Sequence, residues 1–136
     1  MPKYQCRVLI ADDHPVVRQG IKQIFNAIDG ITVAGEAQSG DELLAKVHGG
    51  GWDALVMDLN MPGPQGLDLL RQIKRDAPNL PILVLSVHPE DQLAVRLLKA
   101  GASGYIAKEN APDELIAAIR KICAGGTYVS ASLAET

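Results

Sequence analysis

The chain has 136 residues, 47% of them apolar, and a formal net charge of -3. That length suits one compact domain whose core needs no disulfide or metal staple, and that composition excludes a disordered chain. The charge excludes the basic footprint of a domain that grips nucleic acid directly.

The opening, MPKYQCRV, lacks a basic region leading into a long apolar stretch, and no apolar run reaches the length of a membrane span. A soluble, cytoplasmic protein without membrane contact is expected. Cys6 and Cys123 are too few for a disulfide framework and have no metal-ligand spacing, so both are expected to be small buried hydrophobes.

Five short apolar runs succeed one another along the chain: Val8-Leu9-Ile10-Ala11, Ile31-Thr32-Val33-Ala34, Ala54-Leu55-Val56-Met57, Ile82-Leu83-Val84-Leu85 and Tyr105-Ile106-Ala107. Most do not alternate with polar residues, the pattern of strands buried on both faces of a parallel sheet. The segments between them read as helices. Val17, Ile21, Ile24 and Ile28 form an apolar stripe on the first. Ser39 and Glu42 form a capping-box signature for the second. Gly66–Ala77, with Leu67, Leu70 and Ile73, is the third and is followed by Pro78. Pro89–Ala100 is the fourth, stopped by Gly101. The fifth carries Leu115, Ile119 and Ile122, with Asn110 and Pro112 at its start and Gly125-Gly126 after it. Five strands and five helices in alternation predict a doubly wound α/β fold with right-handed crossovers.

In such a sheet, ligands bind outside the carboxyl ends of the strands. There the sequence places Asp12 and Asp13 after the first run, Asp58 after the third, Ser86 after the fourth and Lys108 after the fifth. Each has an ordinary explanation alone: an aspartate caps a helix, a serine ends a strand, a lysine is solvated. Together they converge. Two carboxylates about 4 Å apart repel by roughly 1 kcal/mol at bulk dielectric and about 4 kcal/mol at an effective value near 20. The cluster therefore needs a cation, and an all-oxygen donor set favours Mg2+ over Zn2+. Lys108 and Ser86 would complete a phosphate site. Asp58 is the candidate nucleophile, because it ends the central strand and is followed by the open loop Leu59-Asn60-Met61-Pro62-Gly63-Pro64.

These residues resemble a receiver domain of a bacterial two-component response regulator over essentially the whole chain, 1–136. The resemblance rests jointly on Asp12-Asp13, on Asp58-Leu59-Asn60-Met61-Pro62-Gly63, on Ser86, and on Gly101-Ala102-Ser103-Gly104-Tyr105 leading to Lys108. Asp12-Asp13-His14-Pro15 and Gly126-Thr127-Tyr128-Val129-Ser130 resemble the NarL/FixJ (LuxR-type) subfamily. The resemblance implies a flavodoxin-like five-stranded parallel sheet of order 2-1-3-4-5. It implies that Asp13, Asp58 and the backbone carbonyl of Asn60 coordinate Mg2+, with Asp12 acting mostly through water. It also implies that Asp58 accepts a phosphoryl group from a sensor histidine kinase, that Lys108 holds the phosphoryl oxygens, and that Ser86 and Tyr105 switch the output surface. A C-terminal helix-turn-helix DNA-binding domain, absent from this chain, is expected in the full-length protein, so DNA would be met only through that domain. A homodimer is a possible partner state.

Two residues depart from the common pattern. Lys108 is followed by Glu109 where many receivers have proline, so a cis bond is not expected. Val87 stands after Ser86, where many have a smaller residue. His14, His48 and His88 are expected at the surface, His14 not as a metal ligand, and Trp52 is expected to pack before the third strand.

Rival functions fit less well. An aspartyl-phosphate phosphatase needs a second aspartate two residues after the nucleophile, where Asn60 stands. A flavin module needs a Ser/Thr/Gly-rich loop after the first strand, where the acidic pair would repel the flavin phosphate. A phosphorylation-independent interaction domain would have no use for the full polar set. The protein is therefore expected not to be an enzyme with an outside substrate, and to catalyse only its own Mg2+-dependent phosphorylation and dephosphorylation.

Overall fold

The computed structural model describes residues 6–59, 61–63, 66–86 and 91–129. Strands β1 (Cys6–Ala11), β2 (Ile31–Ala37), β3 (Ala54–Asp58), β4 (Ile82–Ser86) and β5 (Gly104–Ala107) alternate with helices α1 (Pro15–Asn26), α2 (Gly40–Gly49), α3 (Gly66–Asp76), α4 (Asp91–Lys99) and α5 (Ala111–Cys123). A 3-10 turn, Lys108–Asn110, joins β5 to α5. A sixth strand, β6 (Tyr128–Val129), comes after α5, and the sheet order is β2-β1-β3-β4-β5-β6. Every neighbouring pair is parallel.

The unbroken apolar runs have the expected cause. Leu9, Leu55, Met57, Ile82, Val84 and Tyr105 point to one face, where they pack with Leu43 and Val47 of α2, Leu69, Leu70 and Ile73 of α3, and Ala94 and Leu97 of α4. Their neighbours Val8, Ile10, Val56, Leu83, Leu85 and Ile106 point to the other, against Ile21 and Phe25 of α1 and Leu115, Ala118, Ile119 and Ile122 of α5. Successive side chains of a strand alternate faces, so a sheet covered on both sides is apolar at every position.

The helix signals hold with small shifts. Ser39 Oγ accepts from Glu42 N at 3.2 Å, the cap expected of α2. On α3, Leu69 joins Leu70 and Ile73 in the core while Leu67 is only partly buried. The expected start of the fourth helix at Pro89, and Pro64, Val87, His88 and Ser130, lie outside the described residues.

Two expectations need revision. The sequence predicts five strands and gives no sign of β6, because a two-residue strand carries no periodicity. Tyr128 is secured by its N–H donating to Ser103 O at 2.8 Å and its hydroxyl donating to Glu114 Oε1 at 2.7 Å. Gly104 makes the room, since a Cβ there would stand 2.8 Å from Leu83 Cδ1 and 3.0 Å from Tyr128 O. The cysteines differ as well. Cys6 is buried as expected and Cys123 only half-buried, but the two are paired as a disulfide, because the fold brings the start of β1 to the end of α5 across 117 residues of sequence.

Candidate phosphoryl-acceptor site

The register of the sheet assembles the site. Ala11 pairs with Met57, so the next residues, Asp12 and Asp58, leave β1 and β3 at the same level. Asp58 pairs with Leu85, and Ser86 pairs with Ala107, which brings Ser86 and Lys108 to the same edge. The loop after Asp58 is anchored by Leu59 N donating to Leu85 O at 3.0 Å and Gly66 N donating to Leu59 O at 3.2 Å. Gly40 N donates to Pro62 O at 2.9 Å, and Leu59 and Met61 are buried. Asn60 lies outside the described residues, so the placement of its carbonyl is not described.

Asp12 and Asp58 are each 1% exposed, and Ser86 is 2% exposed. Lys108 Nζ lies 3.2 Å from Asp12 Oδ2 and 3.2 Å from Asp58 Oδ2. Burial alone would depress the Lys108 pKa, but the carboxylates of Asp58 and Asp12 outweigh it, and the net shift is upward. The ammonium is thus the internal counter-ion of two buried carboxylates. Asp13 is more open, with a side chain 31% exposed.

His14 is the exposed loop residue expected before Pro15, and its ring lies against this cluster. It is exposed, at 61%, yet its Nδ1 lies 3.2 Å from Asp12 Oδ1 and 3.0 Å from Asp13 Oδ1. Its backbone N–H donates to Asp12 Oδ1 at 2.8 Å, a local turn that folds the ring back over the acidic pair. Potential ligand atoms of Asp12, Asp13, His14 and Asp58 all lie within 4.8 Å of one another. Three carboxylates at that spacing fit a hard divalent cation, and an imidazole at the rim does not change the preference of the oxygen set.

Two further residues, Arg18 and Glu36, support the site without having been expected there. Arg18 Nη1 donates to the Asp12 carbonyl at 2.6 Å, while its Nε lies 3.1 Å from Glu36 Oε1. Lys22 Nζ meets Glu36 Oε2 at 3.1 Å. Burial would raise the Glu36 pKa, but its hydrogen bonds to Lys22 and Arg18 bring the net shift down. Arg18 sits one turn into α1, its N–H donating to His14 O at 3.1 Å.

Tyr105 is 3% exposed and packs among the α2, α3 and α4 contacts, with no hydrogen-bond partner for its hydroxyl among the described residues. Trp52 packs as expected, its Nε1 donating to Lys46 O at 2.7 Å, with the Arg7 guanidinium 5.9 Å from the ring centre. His48 is exposed. No cis peptide occurs among the described residues.

A parallel α/β sheet that collects an acidic pair, a buried aspartate, a hydroxyl and a lysine at its carboxyl edge defines a receiver. The chain belongs to the response regulator receiver domain family, whose sequence pattern matches residues 8–120. It is 39% identical over 128 residues to the response regulator UvrY of Escherichia coli, covering 94% of this chain and 59% of that protein. It is 41% identical over 129 residues to the response regulator GacA of Pseudomonas viridiflava, covering 95% and 60%. Among solved structures, a LuxR-family response regulator from Aurantimonas sp. superposes with a TM-score of 0.90 at 34% identity, covering 96% of this chain and 94% of that one. The isolated receiver domain of RcsB from Salmonella enterica, in the presence of the phosphomimetic BeF3-, gives 0.89 at 30% identity, covering 96% and 97%. These are receivers of the LuxR type, and the chain spans about three-fifths of the length of the curated relatives it matches.

Proposed function

We propose that this receiver takes a phosphoryl group onto Asp58 from the phosphohistidine of a sensor kinase and passes the signal to an attached output domain. The observation that carries this reading is the Lys108 ammonium, held 3.2 Å from both buried carboxylates. A carboxylate oxygen of Asp58 attacks phosphorus, the P–N bond breaks, and its electron pair stays on the donor imidazole. Lys108 is already in place to take up the new phosphoryl oxygens. Asp12, Asp13 and Asp58 would hold Mg2+, which supplies charge neutralisation at the phosphoryl group when bound; the Asn60 carbonyl would complete the set. Ser86 and Tyr105 would relay the change to the surface, Ser86 by donating to the phosphoryl group and Tyr105 by repacking behind it. The site acts on itself, through phosphorylation and its reversal, and turns over no outside substrate.

The output is proposed to be transcription, through a C-terminal helix-turn-helix domain. UvrY and GacA are longer than this chain, and one RcsB structure contains two dimers bound to two DNAs. By the same likeness, homodimerisation and a cytoplasmic location are proposed; no helix among the described residues is long and apolar enough to cross a membrane. The test is thermal stabilisation by Mg2+ with beryllium fluoride. Wild type should be stabilised and Asp58→Asn should not. Equal stabilisation of both would remove Asp58 from the role.

A further inference from the structure

The edge of the sheet opposite the carboxylates carries a second chemically distinctive feature. Cys6 opens β1 and is 2% exposed, whereas Cys123 closes α5 and is half-buried. Their sulfurs are paired, with Cα atoms 7.0 Å apart. A cavity of about 420 Å3 opens on this pair, lined by Cys6, Asp29, Gly30, Ile31, Arg120 and Cys123 among others. The pair is therefore reachable by a small molecule although Cys6 itself is hidden from bulk solvent.

The fold at this edge does not need the sulfur bridge. Cys6 N donates to Gly30 O at 2.8 Å, which fixes the start of β1 to the segment leading into β2. Leu115, Ala118, Ile119 and Ile122 bury α5 against the sheet with little or no exposure. None of these contacts is made by either sulfur. Arg120 lies one turn before Cys123 on α5 and lines the same cavity, and a nearby cation favours the thiolate, the reactive form.

We propose that Cys6 and Cys123 form a reversible redox-modification site, reached through this cavity by a low-molecular-weight disulfide of the glutathione type, and that closing the bridge fixes the end of α5 to the start of β1. The Cys123 thiolate attacks one sulfur of the small disulfide and expels one thiolate. The Cys6 thiolate then attacks the Cys123 sulfur of the mixed disulfide and expels the second. The cysteine pair loses two electrons and two protons, and the small disulfide gains both as two thiols. The pair lies at the opposite edge of the sheet from Asp58, so its redox chemistry is independent of the phosphoryl reading.

The test equilibrates the purified chain in buffers graded from reduced to oxidised glutathione, alkylates free thiols in acid, and reads the mass and the melting temperature. Two alkylatable thiols at the reducing end should fall to none at the oxidising end. The bridged form should melt higher by on the order of 10 °C, because the bridge closes a very long loop of the unfolded chain. Cys6→Ser, which has no resolving thiol, should accumulate a glutathione adduct on Cys123, and Arg120→Gln should slow that adduct several-fold. The proposal is overturned if both thiols stay alkylatable at the oxidising end, if bridged and reduced forms melt alike, or if Cys6→Ser takes up no glutathione.

Discussion

Replacing Lys108 by methionine keeps the aliphatic stem and removes the ammonium between two buried carboxylates. At an effective dielectric near 20, each contact of 3.2 Å is worth about 5 kcal/mol before desolvation is counted. The ligand atoms of Asp12 and Asp58 lie within 4.8 Å, so their mutual repulsion is about 3.5 kcal/mol or more on the same scale. Part of the lost attraction is returned, because the variant no longer desolvates a lysine and can take up a proton. The net cost should match the loss of one partner from a buried ion pair, about 3 kcal/mol or a little more. For a chain of this size that lowers the melting temperature by about 10 °C. The sign with pH comes from the raised Lys108 pKa. Its stabilisation is complete below the unfolded value of about 10.4 and is lost as pH rises through the higher folded value. The gap between wild type and variant should therefore persist through neutral pH and close only in strong alkali. Mg2+ adds a second, opposite effect. An Mg2+ ion bound as proposed would compete with Lys108 for the same oxygens, so Lys108→Met should bind Mg2+ on the order of 10-fold more tightly, a difference of about 1.4 kcal/mol. Thermal melts in chelator and calorimetric Mg2+ titrations measure both. A variant that melts like wild type in chelator, or binds Mg2+ no better, would refute the view of Lys108 as the internal counter-ion.

Asp58→Asn should fold normally and lose all labelling by acetyl phosphate, read by intact mass. Tyr128, half-buried and bonded to Glu114, has its pKa pushed up to about 12 by burial and by that carboxylate; a phenolate absorbance titration should show a component at that midpoint that Tyr128→Phe removes. Because the folded value lies above the unfolded one of about 10, the stability that Tyr128 contributes is intact below about pH 10 and is lost as pH rises through about 12. Gly35→Ala places a Cβ 2.5 Å from Trp52 Cη2, on a ring held by its bond to Lys46 O, so it should cost about 1–3 kcal/mol in urea unfolding and shift the emission of the chain's one tryptophan.

Much of the fold and site was legible in the sequence because it rests on local pattern. The apolar runs marked five strands, and the residue just past each run marked the carboxyl edge, so Asp12, Asp13, Asp58, Ser86 and Lys108 could be gathered from the sequence alone. The illegible features depend on tertiary register. β6 is two residues long and exists because Gly104 lets Tyr128 approach β5. Arg18 and Glu36 act through a carbonyl of the site, a contact that no spacing announces. His14 is exposed in the loop before Pro15 as its sequence context suggests, but no spacing announces that the Asp12 carboxylate captures its N–H and brings the ring over the cluster. The Cys6–Cys123 pairing spans 117 residues, and two cysteines with no motif give no sign of it.

The most direct test of the central claim is peptide-mapping mass spectrometry after incubation with acetyl phosphate, with Mg2+ and with chelator. One phosphoryl group is expected, on Asp58, formed with Mg2+ and absent with chelator. A phosphoryl group on any other residue, or labelling of Asp58 that is indifferent to chelator, would contradict it.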